Sequence, residues 1–135
     1  MQDGWVEHCT VCATTRAGGE NRSRPEELVV QEAAVLAAEH PEIVITGIHI
    51  GSYGADYGTT LIALLLRPVR EVPTVLFRRS SLDATAVDDA FAELFAGDAT
   101  LLSPHLHEQL QSVSDPVLET LGRPRVSPPS LPLCL

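Results

Sequence analysis

The chain has 135 residues, 44% of them hydrophobic and 4% aromatic, which suits one domain burying roughly two-thirds of its unfolded surface and excludes two. Eighteen acidic residues oppose nine arginines, with no lysine, and the formal charge of −9 excludes a general electrostatic footprint for nucleic acid. The longest apolar stretch, residues 61–66, falls far short of the roughly 20 residues of a membrane span, and Met1-Gln2-Asp3-Gly4 lacks the basic and apolar regions of a signal peptide, so a soluble cytoplasmic chain with no membrane role is expected.

Near the start, Cys9 and Cys12 form a CxxC pair, and Cys134 stands far away in the tail. An odd count with one close pair speaks for metal or redox chemistry in a reducing compartment over a disulfide framework. The pair alone fits zinc, a redox dithiol or an iron centre. Arg16, Arg22 and Arg24 then form the one local basic cluster able to grip phosphate, although solvated surface charge is an equal reading. Pro25, Glu26 and Glu27 open a helix with a first-position proline and acidic first turn, and apolar periodicity carries it to about Glu39 before Pro41. Residues 42–46 are a β-branched run ending at Gly47, the pattern of a buried parallel strand. The stretch Gly47-Ile48-His49-Ile50-Gly51-Ser52-Tyr53-Gly54 is too glycine-rich for either regular element and reads as the loop leaving that strand.

A helix restarts over residues 60–66 and is interrupted by Pro68. A second unit has residues 74–77 as strand and 87–96 as an amphipathic helix, apolar at Val87, Ala90, Phe91, Leu94 and Phe95. The third unit pairs a strand over residues 106–111 with a helix over 116–121, closed by Gly122 as a C-cap. On that strand His105, His107, Gln109 and Gln111 share one face, opposite Leu106, Glu108 and Leu110. A polar face toward a barrel interior fits a pocket, and two satisfied structural histidines fit equally. After Arg123, four prolines in residues 124–132 exclude a helix. Three to four strand-helix units with parallel strands make an α/β fold, an open sheet or part of a barrel, with functional loops at the carboxyl ends of the strands.

Four ordered segments carry a family resemblance: Gln2-Asp3-Gly4 into Cys9-Thr10-Val11-Cys12; Arg22-Ser23-Arg24-Pro25; Ile45-Thr46-Gly47 through Gly51-Ser52-Tyr53-Gly54; and Pro104-His105-Leu106-His107 with Leu110-Gln111-Ser112 and Ser114-Asp115. Together they resemble the radical S-adenosylmethionine methylthiotransferases that modify adenosine beside the tRNA anticodon, most of all those acting on threonylcarbamoyladenosine at position 37. The resemblance spans residues 1–122, a partial radical core of (β/α) barrel type, and leaves residues 123–135 as a tail foreign to the family. It implies a 4Fe-4S cluster held by a three-cysteine loop, with S-adenosylmethionine on the open iron, a deoxyadenosyl radical made by one-electron cleavage, and a thiomethyl group installed on the adenine. By resemblance Cys9 and Cys12 are cluster ligands, Thr46, Gly47, Ser52 and Tyr53 lie beside the cofactor, Gln111 and Ser112 face the same pocket, and Arg22 and Arg24 face RNA.

The departures are as informative. Trp5 stands where the first cluster cysteine belongs, so the loop is a thiolate short and His8, Cys134 or an external thiol would have to complete it. Gly18 and Glu20 thin the basic run found in relatives, Glu108 takes an apolar position, and Val113 replaces a loop glycine, an obstacle wherever positive φ is required. The family's second-cluster domain, remaining barrel units and RNA-binding module have no counterpart here, so a fragment impaired on its own, its missing parts supplied by another chain, is expected. A small zinc or metal module and an inactive truncated fragment are the alternatives.

Overall fold

The computed structural model describes residues 1–7, 9–83, 86–96 and 101–123. His8, Cys134 and the proline-rich stretch 124–135 lie outside the described residues. Within them helices alternate with short strands paired mostly in parallel, a mixed α/β arrangement.

β1 (Gln2–Asp3) pairs antiparallel with β2 (Arg22–Ser23), Gln2 opposite Ser23, and closes the base of a long loop that contains the cysteines and the short helix α1 (Thr14–Ala17). Composition gave no signal for this pair, since two-residue strands have no periodicity to read. Next comes α2 (Glu26–Leu36), with Pro25 at the N-cap one position before the expected first turn, Glu26 and Glu27 against the positive helix end, and Val29, Val30 and Ala33 buried. It stops three residues before Glu39.

β3 (Glu42–Ile45) and β4 (Leu76–Arg79) form a parallel ladder, Ile43 opposite Phe77 and Ile45 opposite Arg79. β4 begins two residues later than the sequence pattern indicates. Its register is set where the Leu76 N–H meets the Pro41 carbonyl at 3.0 Å, leaving Pro73 and Thr74 in an exposed turn and Val75 buried in the core. Between these strands, α3 (Leu61–Glu71) runs straight through Pro68 instead of ending before it. Thr60 caps the helix by accepting from the Ala63 N–H at 3.2 Å, Leu61, Leu64, Leu65 and Pro68 all lie on its buried face, and Arg67 pairs with Glu71 one turn on at 2.9 Å. The ring removes one helical hydrogen bond, a cost of about 3 kcal/mol, but burying this face at about 1.5–3 kcal/mol per large side chain outweighs it.

On its other side Phe77 exchanges backbone bonds with Leu101 and Ser103, both 2.7 Å, and β5 (Leu82–Asp83) continues in parallel with β6 (Glu108–Gln109). The expected strand over 106–111 thus shrinks to two residues. The buried Arg79 guanidinium donates to the Ser103 carbonyl at 3.3 Å and the His105 carbonyl at 2.8 Å and so fixes the approach to β6, and a turn at Gln111, φ 60°, closes the strand's other end. Burial pulls the Arg79 pKa down to about 10, which leaves it cationic at neutral pH. The alternation survives: His105, His107, Gln109 and Gln111 are exposed, and Leu106, Glu108 and Leu110 are half-buried.

α4 (Asp89–Ala96) starts after Asp88, whose carboxylate accepts from the Phe91 N–H at 2.8 Å, while Val87 is fully buried just outside the helix. In α5 (Asp115–Thr120) the expected glycine cap is present: Gly122 has φ 69°, its N–H meets the Glu119 carbonyl at 3.0 Å, and the Arg123 N–H reaches the Leu118 carbonyl at 2.8 Å, both rungs of a Schellman cap. α2, α3 and α4 contribute to one core around Ile45, Phe77 and Leu102. No helix among the described residues is long and apolar enough to cross a membrane.

Candidate functional site

The loop at residues 4–21 is pinned at its base, through Trp5, and at its far turn. Gly4 has φ 88°, and a Cβ there would lie 1.9 Å from the Glu20 carbonyl oxygen, so only glycine lets the two loop ends close. The Trp5 N–H then donates to Gly19 O at 3.1 Å. Further along, the Thr10 N–H donates to Leu121 O at 3.0 Å, and the Thr10 hydroxyl to Thr120 O at 3.4 Å, docking the cysteine turn on the C-terminal end of α5. Cys9 is buried, Cys12 is half-buried, and the Cys12 N–H meets Cys9 O at 3.2 Å, which keeps both thiols on a single turn.

Gln2 is the hub that joins this loop to the glycine-serine-tyrosine bend. It is 2% exposed; its Nε2 donates to the Asp3 and Gly4 carbonyls at 2.9 and 3.0 Å, and its Oε1 accepts from the His49 N–H at 2.6 Å. Asn21 donates from Nδ2 to Ser52 O at 3.0 Å and accepts from the Ser52 hydroxyl at 2.9 Å. Sequence reasoning quoted Gln2 only as a lead-in to the cysteines and missed Asn21; a buried amide is indistinguishable from a surface one until its partners fold around it.

The expected cofactor-side residues separate. Ser52 and Tyr53 line one cavity with Thr60, Asp88 and Phe91, whereas Thr46 lines another groove with Met1, Arg24 and Val44. Gly47 faces Gln2, where a Cβ would come within 3.0 Å of the Gln2 Cβ. Tyr53 is 2% exposed and its hydroxyl donates to Arg24 O at 2.6 Å and meets the Tyr57 hydroxyl at 2.7 Å; burial, then the Tyr57 hydrogen bond, raises its pKa. Gln111 is exposed at φ 60° in a three-residue turn closed by Ser112 N–H to Leu110 O at 2.7 Å, and the Ser112 hydroxyl accepts from the Ser114 N–H at 3.1 Å. Positive φ therefore falls at Gln111, and Val113, 80% exposed, carries none of the strain expected of it. Arg22 is exposed and lines a cleft with Gly4 and Gly18, while the Arg24 guanidinium pairs with Glu32 on α2.

Where the resemblance puts a third thiolate, the chain packs a polar-aromatic cluster. The Trp5 indole stacks on the His49 imidazole with centroids 4.5 Å apart and 29° between planes, and the Arg123 guanidinium lies 5.8 Å from the indole centroid. Arg123 is ion-paired with Asp83 of β5, their side chains 7% and 6% exposed. Glu7 approaches His49 Nε2 at 3.8 Å. Burial depresses the His49 pKa, Glu7 opposes the shift and Arg123 adds to it, so the imidazole is neutral at pH 7. The sequence marks Trp5 as a lost ligand and gives His49, Asp83 and Arg123 no role, because they meet only through side-chain contacts between distant positions of the chain.

A 4Fe-4S cluster does not fit this donor set. Two thiols stand on the turn, an indole occupies the third position, and among the described residues no group of three His, Cys, Asp or Glu side chains is arranged to hold a metal.

No protein-family model matches the chain. Curated relatives do. It is 40% identical over 126 residues to a threonylcarbamoyladenosine tRNA methylthiotransferase of Thermotoga maritima, covering 91% of this chain and 29% of the relative. The corresponding Bacillus subtilis protein is 36% identical over 91% of this chain and 28% of its own length. A tRNA-2-methylthio-N(6)-dimethylallyladenosine synthase of Geobacillus thermodenitrificans is 30% identical over 89% of this chain and 23% of its own length. The chain thus spans under a third of the relatives it matches. Over nine-tenths of its own length it belongs to the tRNA methylthiotransferase family.

Proposed function

We propose that this chain is a partial radical S-adenosylmethionine core, residues 1–122, from a methylthiotransferase acting on threonylcarbamoyladenosine at position 37 of tRNA, and that it is impaired as it stands. The observation that carries the proposal is the kinship over 91% of the chain, combined with a site loop pinned beside the bend that follows β3. In this reading the chain covers part of a (β/α) barrel, with residues 123–135 outside the core. Cys9 and Cys12 occupy two of the three cluster positions, Ser52 and Tyr53 line the cavity offered to S-adenosylmethionine, and Thr46, Gly47, Gln111 and Ser112, which lie apart from that cavity here, join them only in the complete barrel. Arg22, exposed beside the loop, offers a contact to RNA phosphate, and Arg24 joins it when Glu32 releases the guanidinium. With a net charge of −9, the isolated chain binds tRNA weakly, so the grip on substrate comes from the parts a longer polypeptide or partner supplies, in the cytoplasm.

What the chain contributes is scaffold. Gln2 orients the loop against His49, and Tyr53 holds Arg24 in place through its backbone carbonyl. The test is a chimera in which this segment, native or carrying Trp5→Cys, replaces the matching segment of the Thermotoga relative. Thiomethyl adenosine is then measured in tRNA by mass spectrometry. The Trp5→Cys chimera is expected to restore product and the native chimera to give none; a folded Trp5→Cys chimera that binds S-adenosylhomocysteine no better than background would overturn the reading.

A further inference from the structure

Losing one thiolate and blocking the site are different defects, and the packing around Trp5 separates them. The indole is held against two groups that are themselves fixed. His49 is 8% exposed and its backbone N–H is bonded to Gln2, while Arg123 is buried with its charge paired to Asp83 and its N–H in the α5 cap. The loop is tied at its base, through Gly4, and at its far turn, through Thr10, so the ring cannot leave by a rigid shift of the segment. The surroundings are polar as well as closed. His49 Nδ1, Arg123 Nε, Glu7 Oε2 and Trp5 Nε1 are all buried without a hydrogen-bond partner among the described residues. Such atoms are rare because each costs stability when left unmade; one belongs to the indole itself, and the three on His49, Arg123 and Glu7 mark a mouth lined for a polar occupant and now covered by an aromatic one.

We infer that Trp5 is a plug: stacked on His49 with Arg123 beside it, its indole closes the mouth at the strand ends and excludes an iron-sulfur group even when a third thiolate is supplied from outside. This rests on reading the Cys9–Cys12 turn as a derived iron-sulfur loop. No electron or group transfer is assigned to the closed mouth.

The test compares the native chain with Trp5→Ala and Trp5→Cys, each treated anaerobically with ferrous iron, sulfide and excess dithiothreitol, desalted, and assayed for bound iron, bound sulfide and visible charge-transfer absorbance. Trp5→Ala is expected to hold at least about tenfold more iron than the native chain, since a packed ring over a desolvated guanidinium no longer has to be displaced. Native loading equal to Trp5→Ala would overturn the plug. So would loading of Trp5→Cys alone, because the missing ligand would then be a sufficient cause. If neither variant loads while both keep the native circular dichroism, the iron-sulfur reading of the loop fails instead. A second measurement does not depend on either variant folding: Trp5 is the sole tryptophan, so iodide quenching of its emission reports its exposure directly. The native chain is expected to be shielded, and His49→Ala and Arg123→Met each to raise the quenching constant about twofold or more, as removal of one stacking wall implies. Equal quenching in all three refutes the plug.

Discussion

Removing the Asp83 charge tests whether the ion pair beneath Trp5 behaves as a buried one. At 6% and 7% exposure the two side chains are far from the surface regime, in which an ion pair is worth about 0–1 kcal/mol. Asp83→Asn leaves the Arg123 charge out of water with a neutral amide oxygen in place of the carboxylate and, among the described residues, the Trp5 ring, 5.8 Å from its centroid, as partial compensation. That contact returns about 0.5–2 kcal/mol, while breaking one side of a buried pair costs about 3–5 kcal/mol. The expected loss is therefore roughly 1–4.5 kcal/mol out of a total of about 5–15 kcal/mol for a domain of this size. Arg123→Met should cost a similar amount, and Asp83→Leu with Arg123→Met should recover most of the loss, because two apolar side chains leave no charge to solvate. Urea unfolding followed by Trp5 emission and by far-ultraviolet circular dichroism measures all three, and coincident transitions confirm that a single free energy is being read. A loss below about 1 kcal/mol for Asp83→Asn, or a double variant no more stable than either single one, would refute the reasoning.

Gln2→Leu should destabilise the fold by about 2 kcal/mol or more, since the His49 N–H loses its acceptor inside the protein; a urea midpoint unchanged from the native chain would show that water replaces the amide. Gly4→Ala places a methyl on the Glu20 carbonyl at a left-handed φ, so the β1–β2 pair should open, seen as faster exchange of the Trp5 amide proton; protection equal to native would contradict the geometry. His49 has a folded pKa below its unfolded value, so its contribution to stability is present above about pH 6.5 and is lost as pH falls and the buried imidazole must charge. His49→Phe keeps a ring against Trp5 and should flatten that acid limb, whereas an unchanged slope between the two proteins would place the titration elsewhere. Leu64→Ala, at a fully buried site on α3, should cost about 2–5 kcal/mol in the same urea assay, and a loss under 1 kcal/mol would mean that the α3 face collapses around the gap.

Local chemistry settled much by itself. Alternating apolar runs and helix punctuation at Pro25, Asp88 and Gly122 are short-range signals, and they placed the α/β order and most element positions to within a few residues. The segments around Gln2, Thr46 and Gln111, in their order, identified the family that the relatives show. What sequence could not supply was anything decided between distant positions. α3 continues through Pro68 because burial of its face exceeds one missing hydrogen bond, and the stretch before β6 is held by the guanidinium of Arg79, more than twenty positions earlier in the chain, while a turn at Gln111 ends the strand. The same holds at the site. Trp5 was legible as an absent thiolate, but only folding sets His49, Asp83 and Arg123 around it, since a stack and a buried ion pair depend on which surfaces leave water together.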